Sequence, residues 1–249
     1  MAKQSGLGDN AYLGGYNLSG DVAALSTIRG GPAALDVTAI DKFAHERVGG
    51  LRSGEISFNT WFNDAAAGEH VALKGLPTAD VQVMYCRGTA LGNQAAAMVG
   101  KQVNYDWTRG ADGSLQGAVQ CLDNGYGLEW CRLLTPAPRT DLGATTGASV
   151  DDGAASAFGL SAYLQVLAWN GVDATVKIQE SSDNGATDPF ADVTGGGFAQ
   201  ITSTKAERIQ TSLTLAVERY LRAVSITTGG FTSLVFAVAY NRHLTAVAY

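Results

Sequence analysis

Histidine, cysteine and clustered carboxylates are the side chains through which a chain of this kind would do chemistry, and their spacing here gives little to work with. His45, His70 and His243 are scattered, with no two at i, i+3 or i, i+4. Cys86, Cys121 and Cys131 are equally dispersed, so no zinc-ligand spacing arises. An odd number of cysteines in a long chain makes no disulfide framework, and the three read as small buried hydrophobes of a protein made in a reducing cytosol. Serines and aspartates abound, but no Gly-x-Ser-x-Gly segment anchors a nucleophile. Gly195-Gly196-Gly197 precedes neither Lys-Ser/Thr nor a helix, so it reads as a turn or flexible tip and not a phosphate loop. The expectation is a protein that is not an enzyme and holds no cofactor or metal.

Two further groups bear on ligands. Ser181-Ser182-Asp183-Asn184-Gly185-Ala186-Thr187 fits Ser-x-Asp-x-Gly-x-Thr, a pattern similar to the Asp-box turns of sialidase-like propellers, and its plain reading is a polar hairpin turn. Asp183, Asp188 and Asp192 lack the alternate oxygen ligands and closing Glu of a calcium loop. Trp169, Phe190, Phe198 and Phe231 fall at or near predicted strand ends, where aromatics either stack on a sugar ring or close a core.

The elements that must position these residues are strands. Hydrophobic residues make up 46% and charged residues 16% of 249, low for a solitary soluble protein, and 31 glycines suit extended surfaces hidden in an assembly. Net charge is −6, spread evenly between residues 1–135 and 136–249, so no basic patch exists to hold nucleic acid through counterion release. No run approaches the ~18 apolar residues of a membrane span, and the first residues lack a signal-peptide core, so a soluble chain without a classical export signal is expected.

The segment Leu35–Phe62 organises the first half. Leu35 and Val37 alternate with Asp36 and Thr38; Ile56 and Phe58 alternate with Glu55, Ser57 and Asn59. Period-two alternation predicts two half-buried strands. Between them runs a charged excursion, Asp41, Lys42, His45, Glu46 and Arg47, closed by Gly49-Gly50 and followed by Arg52. A compact domain keeps such loops short unless they have a task, and the task predicted for these six residues is contact with another copy of the chain. Short strands are expected at Tyr12–Leu18, Val22–Ile28 and Ala34–Thr38, with a turn at Gly30-Gly31-Pro32, and a helix over about Ala65–Gly75 capped by Asn63-Asp64. A strand at Ala79–Arg87 follows, buried on both faces. A hairpin comes next, Ala95–Trp107 and Ser114–Leu122 about Gly110-Ala111-Asp112-Gly113, and a strand at Leu128–Leu134 closes the half.

The run GDVAALSTIRGGPAALDVTAIDKFAHERVGGLRSGEISFNTWFND resembles the start of a tail tube protein of long-tailed, siphovirus-like bacteriophages. The resemblance rests on Leu-Asp-Val-Thr at 35–38 before a charged loop, on Gly50, Leu51, Gly54, Ile56 and Phe58 after it, and on the 95–120 hairpin; it spans roughly residues 12–135. It implies a β-sandwich or barrel with one flanking helix. Six copies would close into a ring by extending their sheets, and rings would stack into a tube that DNA traverses without specific binding. Partners would be identical subunits and other tail proteins, such as the tape measure and tail-end proteins. The location would be the virion tail, after synthesis in the host cytoplasm.

Residues 136–158, rich in Pro, Gly, Ala and Thr, read as a linker. Beyond them, predicted strands at Ser161–Trp169, Ala174–Glu180, Gly197–Ser203, Glu207–Thr211, Arg219–Thr227 and Thr232–Asn241 make a second small antiparallel sandwich over 159–249. Asn170-Gly171-Val172-Asp173 is expected to turn the first two into a hairpin. Leu234, Phe236, Val238 and Tyr240 should face one way along the last strand, with Ala237 and Ala239 opposite. The fold class expected is mainly β, a tail-tube-type core followed by a sandwich standing outside the tube. The alternative function is a carbohydrate-binding or decoration module on a virion surface.

Overall fold

A computed structural model describes residues 5–247. It is nearly all antiparallel β, as the alternation requires. The strands are β1 (Asn10–Leu13), β2 (Tyr16–Asn17), β3 (Val22–Asp36), β4 (Arg47–Trp61), β5 (Val81–Cys86), β6 (Gln94–Arg109), β7 (Leu115–Asp123) and β8 (Glu129–Leu133). They continue with β9 (Arg139–Asp141), β10 (Thr145–Asp151), β11 (Leu160–Gly171), β12 (Thr175–Ser181), β13 (Ala191–Gly197), β14 (Lys205–Gln210), β15 (Tyr220–Ile226) and β16 (Phe231–Arg242). Among the described residues one helix, α1 (Glu69–Leu73), stands between β4 and β5.

Twelve strands share one sheet, and β10, β15, β12 and β13 form a second. The long strand β6 turns the corner of the first. Its opening residues lie between β5 and β8, while Gly100–Arg109 pair with β7, which pairs in turn with β4 and β4 with β3. The curl encloses a core of Ile56, Phe58, Val83, Met98, Val119 and Cys121, to which α1 contributes Leu73. Farther along, β11 and β16 face the four-stranded sheet. Leu164, Phe236 and Val238 meet Val176, Ile178 and Leu221 in a sandwich core. Ala237 and Ala239, on the other face of β16, pack with Tyr12, Met84, Cys131 and Tyr163 in a third cluster between the two parts. Large residues on one face and small ones on the other let β16 serve two cores at once.

Several local expectations change. Gly30-Gly31-Pro32 does not turn the chain; it lies within one 15-residue strand, with a bulge between Pro32 and Ala34. Gly30 is needed because Leu128 crosses here, where a Cβ would fall 2.7 Å from Leu128 Cβ, and Gly31 because its φ is 148°. The helix is five residues and not eleven. Gly68 begins it without a side-chain cap, and Asn63 folds back to accept the Ala65 amide, so residues 65–68 form a turn. Residues 136–158 carry β9 and β10, paired with β16 and β15. β11 and β12 are not a hairpin, since the chain passes from one sheet to the other between them. Asp173 explains the crossing. Its carboxylate accepts hydrogen bonds from the Thr228 amide and hydroxyl and the Gly229 amide, which ties the passage to the β15–β16 turn. Gly195-Gly196-Gly197 end β13, whereas residues 198–203, expected as a strand, hold only a bridge from Ile201 to Ala174.

Candidate assembly interface

The β3–β4 hairpin carries the candidate site. Its strands pair from Val22–Thr60 out to Asp36–Arg47, and residues 37–46 form its tip. The tip is built from its own polar groups. Asp36 accepts hydrogen bonds from the Thr38 amide (2.9 Å) and hydroxyl (2.5 Å), and His45 Nδ1 lies 2.9 Å from its other oxygen. The Thr38 hydroxyl first, then the Thr38 amide and His45, hold the Asp36 carboxyl below its usual range. Val37 and Thr38 are tied across to Glu46, and Lys42 lies 3.5 Å from Glu46. Among the described residues Asp41, Arg47 and Arg52 form no ion pair.

What the charges frame is apolar. Ile40 and Phe43 are fully exposed, Leu51 is 89% exposed, and Leu35, Val37 and Val48 are about half so. Leu35 and Val48 face each other across the hairpin, yet no core covers them. Burying one such side chain is worth about 1.5–3 kcal/mol, and here that free energy is unused within the chain. Sequence reasoning saw only the charges of this loop. Ile40 and Phe43 follow no strand period, and that absence of a core-facing pattern was the signal for an outward-facing pair.

Several strand margins are open among the described residues, those of β10, β13 and β14 included, and two of them lie beside this hairpin. β3 pairs with β4 alone, so its outer margin has no partner strand among the described residues. Along Lys101–Arg109, β6 pairs only with β7, because its pairing with β5 ends where Val81 faces Gly100. The outward face of this four-stranded region carries a polar centre, with Leu122 and Trp61 exposed at its margins. Glu55 there meets Arg29 (2.5 Å), the Ser57 hydroxyl (2.6 Å) and the Gln120 amide (2.9 Å). The Ser57 and Gln120 hydrogen bonds, then Arg29, hold the Glu55 carboxyl below its usual range. Asn104 donates to Asp106 alongside.

The remaining candidates are not gathered into one place. Phe198 and Phe231 are buried in the sandwich core, with half-buried Trp169 tilted against Phe231 at 5.7 Å between centroids. Phe190 lies apart, beneath the Arg222 guanidinium at 3.9 Å. Asp183 accepts the Ala186, Thr187 and Asp188 amides, which makes Ser181–Thr187 the polar turn expected. No group of three or more His, Cys, Asp or Glu side chains suited to a metal occurs among the described residues. Ser161, His243 and Glu129 do meet, a constellation with no sequence signature. Both Ser161 Oγ (3.0 Å) and Glu129 (3.6 Å) lie against His243 Nε2, while Nδ1 contacts the Phe158 carbonyl. A catalytic triad needs the acid on the opposite nitrogen from the serine, and Ser161 is fully buried. The cluster, with Arg208 and Tyr163, is a structural polar network.

No family model matches the chain, and no curated protein matches it. Among solved structures it is similar to a chain of the virion of a native gene transfer agent particle, at 18% identity and TM-score 0.40, over 51% of this chain and 98% of that one. It is similar to the SPP1 Dit (gp 19.1) protein, described as a hub adsorption apparatus in phages infecting Gram-positive hosts, at 11% identity and TM-score 0.35, over 94% and 99%. A chain of the phage p2 baseplate in its activated conformation follows at 8% identity and TM-score 0.33, over 94% and 98%.

Proposed function

We propose that this chain is a structural subunit of a phage tail, a building block that assembles with identical copies into stacked, six-membered rings around a channel for DNA. One observation supports the reading most: a 15-residue strand with a bare outer margin runs straight into a hairpin tip where the side chains of Ile40 and Phe43 are fully exposed. Monomeric proteins suppress long exposed strand edges, whereas a ring completes each edge with the next subunit through a heterologous contact that closes. The margins of β3 and of residues 101–109 in β6 are the two complementary edges. The tube core is residues 1–135, with the sandwich, which takes in β9 and β10 as well as residues 159–249, outside it.

The polar face around Glu55, Ser57, Gln120 and Asn104 lines the channel in this reading. Duplex DNA carries about one negative charge per 1.7 Å, so a basic wall would hold it; a wall of amides, hydroxyls and a neutralised Arg29–Glu55 pair would not. Negative-stain microscopy of the purified chain over a range of concentrations tests the reading. Rings or tubes formed without DNA support it. Discrete single particles at every concentration contradict it, and glycan binding abolished by Trp169→Ala would then favour the decoration-module alternative.

A further inference from the structure

Beside β8 lies a cleft of about 290 Å³ whose rim is apolar and whose floor is cationic. The rim is Trp130, 60% exposed, and Leu244, 72% exposed. In the floor, Asp152 takes Arg132 Nη1 at 2.5 Å and the Tyr240 hydroxyl at 2.9 Å. Arg242 Nε stands 3.5 Å from the same carboxylate without a hydrogen bond, although that side chain is only 5% exposed. Two guanidinium groups thus share one carboxylate that is already occupied. Arg242 commits its Nη atoms to the Ala154, Glu218 and Asp152 carbonyls, so the group open to solvent is Arg132, its side chain 34% exposed. Two guanidiniums against one carboxylate leave an excess of positive charge that favours an incoming carboxylate there.

Resting on the assembly reading, we propose that this cleft is the socket for the β3–β4 hairpin tip of a second copy, with Ile40 and Phe43 against Trp130 and Leu244 and the Asp41 carboxylate directed to Arg132. The complementarity is twofold. The tip presents two fully exposed apolar side chains flanking a carboxylate that has no ion-pair partner, and the cleft presents two exposed apolar side chains above an excess of positive charge. Within one chain neither surface covers the other, since Ile40 and Phe43 are bare while Trp130 and Leu244 are exposed. The contact is therefore between copies. An exposed Trp130 as aromatic anchor and a charge pair below it are the residue types that dominate interface energetics.

The test is cross-linking between differently marked copies. The native thiols Cys86, Cys121 and Cys131 are buried, so a short bis-maleimide reports only introduced cysteines. Phe43→Cys and Leu244→Cys variants are prepared separately and mixed. A cross-linked dimer from the mixture, and from neither variant alone, is the result expected. Trp130→Ser and Asp41→Lys should each raise the concentration needed for assembly about tenfold or more, with Asp41→Glu near wild type. Phe43→Ser combined with Trp130→Ser should be little worse than either alone, because both remove one contact. Rings or tubes seen by microscopy in the cross-linking mixture without a cross-linked dimer would overturn the socket while leaving the assembly reading intact. A wild-type chain that never assembles would overturn both.

Discussion

Leu128 lies directly beneath Gly54: a Cβ built on Gly54 would sit 2.5 Å from the Leu128 amide nitrogen and 2.8 Å from its Cβ. Gly30, on the paired strand, meets the same leucine. The base of the projecting hairpin is thus clamped over the start of β8 by two glycines. Gly54→Ala must push backbone and not merely a side chain, so it should destabilise the protein by about 1–3 kcal/mol. Chemical denaturation compared with wild type measures this. A neutral result would mean that the hairpin base shifts freely.

The buried Glu129–Arg208 pair joins β8 to β14, with side chains 5% and 6% exposed and the Tyr163 hydroxyl donating to the same carboxylate. Glu129→Gln leaves a guanidinium buried without its counter-charge. Breaking a buried pair from one side costs about 3–5 kcal/mol, and the shift in urea midpoint at constant slope reads it. A change within 0.5 kcal/mol would show that the network is dispensable.

Acid should loosen the sandwich. The Thr187 hydroxyl and the amides of Thr187, Asp188 and Ala186 hold Asp183 down to about 2, and the Gly229 and Thr228 amides hold Asp173 well below its usual range. Carboxyls depressed in the folded state stabilise it above their unfolded value, about 3.9, and that contribution is lost as pH falls from there through the folded values. Glu180 and Glu218 are pushed up, chiefly by burial, so they act in the opposite sense and stability gains as they protonate. Melting temperature should hold or rise slightly on acidification toward pH 4, then fall. Asp173→Asn should flatten the fall below pH 4; an unchanged acid limb would contradict the assignment.

The three thiols should be silent in the folded protein. Burial pushes Cys86 and Cys121 up to about 12 and Cys131 well up, leaving almost no thiolate at pH 8. A thiol reagent should react with none of them natively and with all three in denaturant. Rapid native labelling would mean that these cores open.

Much of this architecture was legible in the sequence because alternation survives wherever one face is buried. The β6–β7 hairpin followed from period-two patterning and the Gly110–Gly113 turn, and the two-faced composition of β16 followed from large and small residues in alternation. Long-range packing was not legible. Gly30-Gly31-Pro32 carries a turn composition, and only its pairing with Arg52–Gly54 of β4, under which Leu128 crosses, makes it strand. Asn170–Asp173 has hairpin chemistry, but the Asp173 carboxylate binds the 227–230 turn and sends the chain to the other sheet. On β8, Cys131 and Leu133 fix the parity, so Glu129 goes inward to Arg208 and Trp130 outward, the reverse of what residue type predicts. The loop's charges pointed to a contact surface, yet Ile40, Phe43 and Trp130 became candidates for its apolar parts only once their exposure was seen.

Amide hydrogen exchange on free and assembled protein tests the central claim most directly, because it reads the two strand margins themselves. Outward amides of residues 22–36 and 101–109 should exchange quickly in the free chain and become strongly protected on assembly, while β12 and β15, inside the second sheet, stay unchanged. Assemblies in which both margins remain as fast as in the free chain would contradict it.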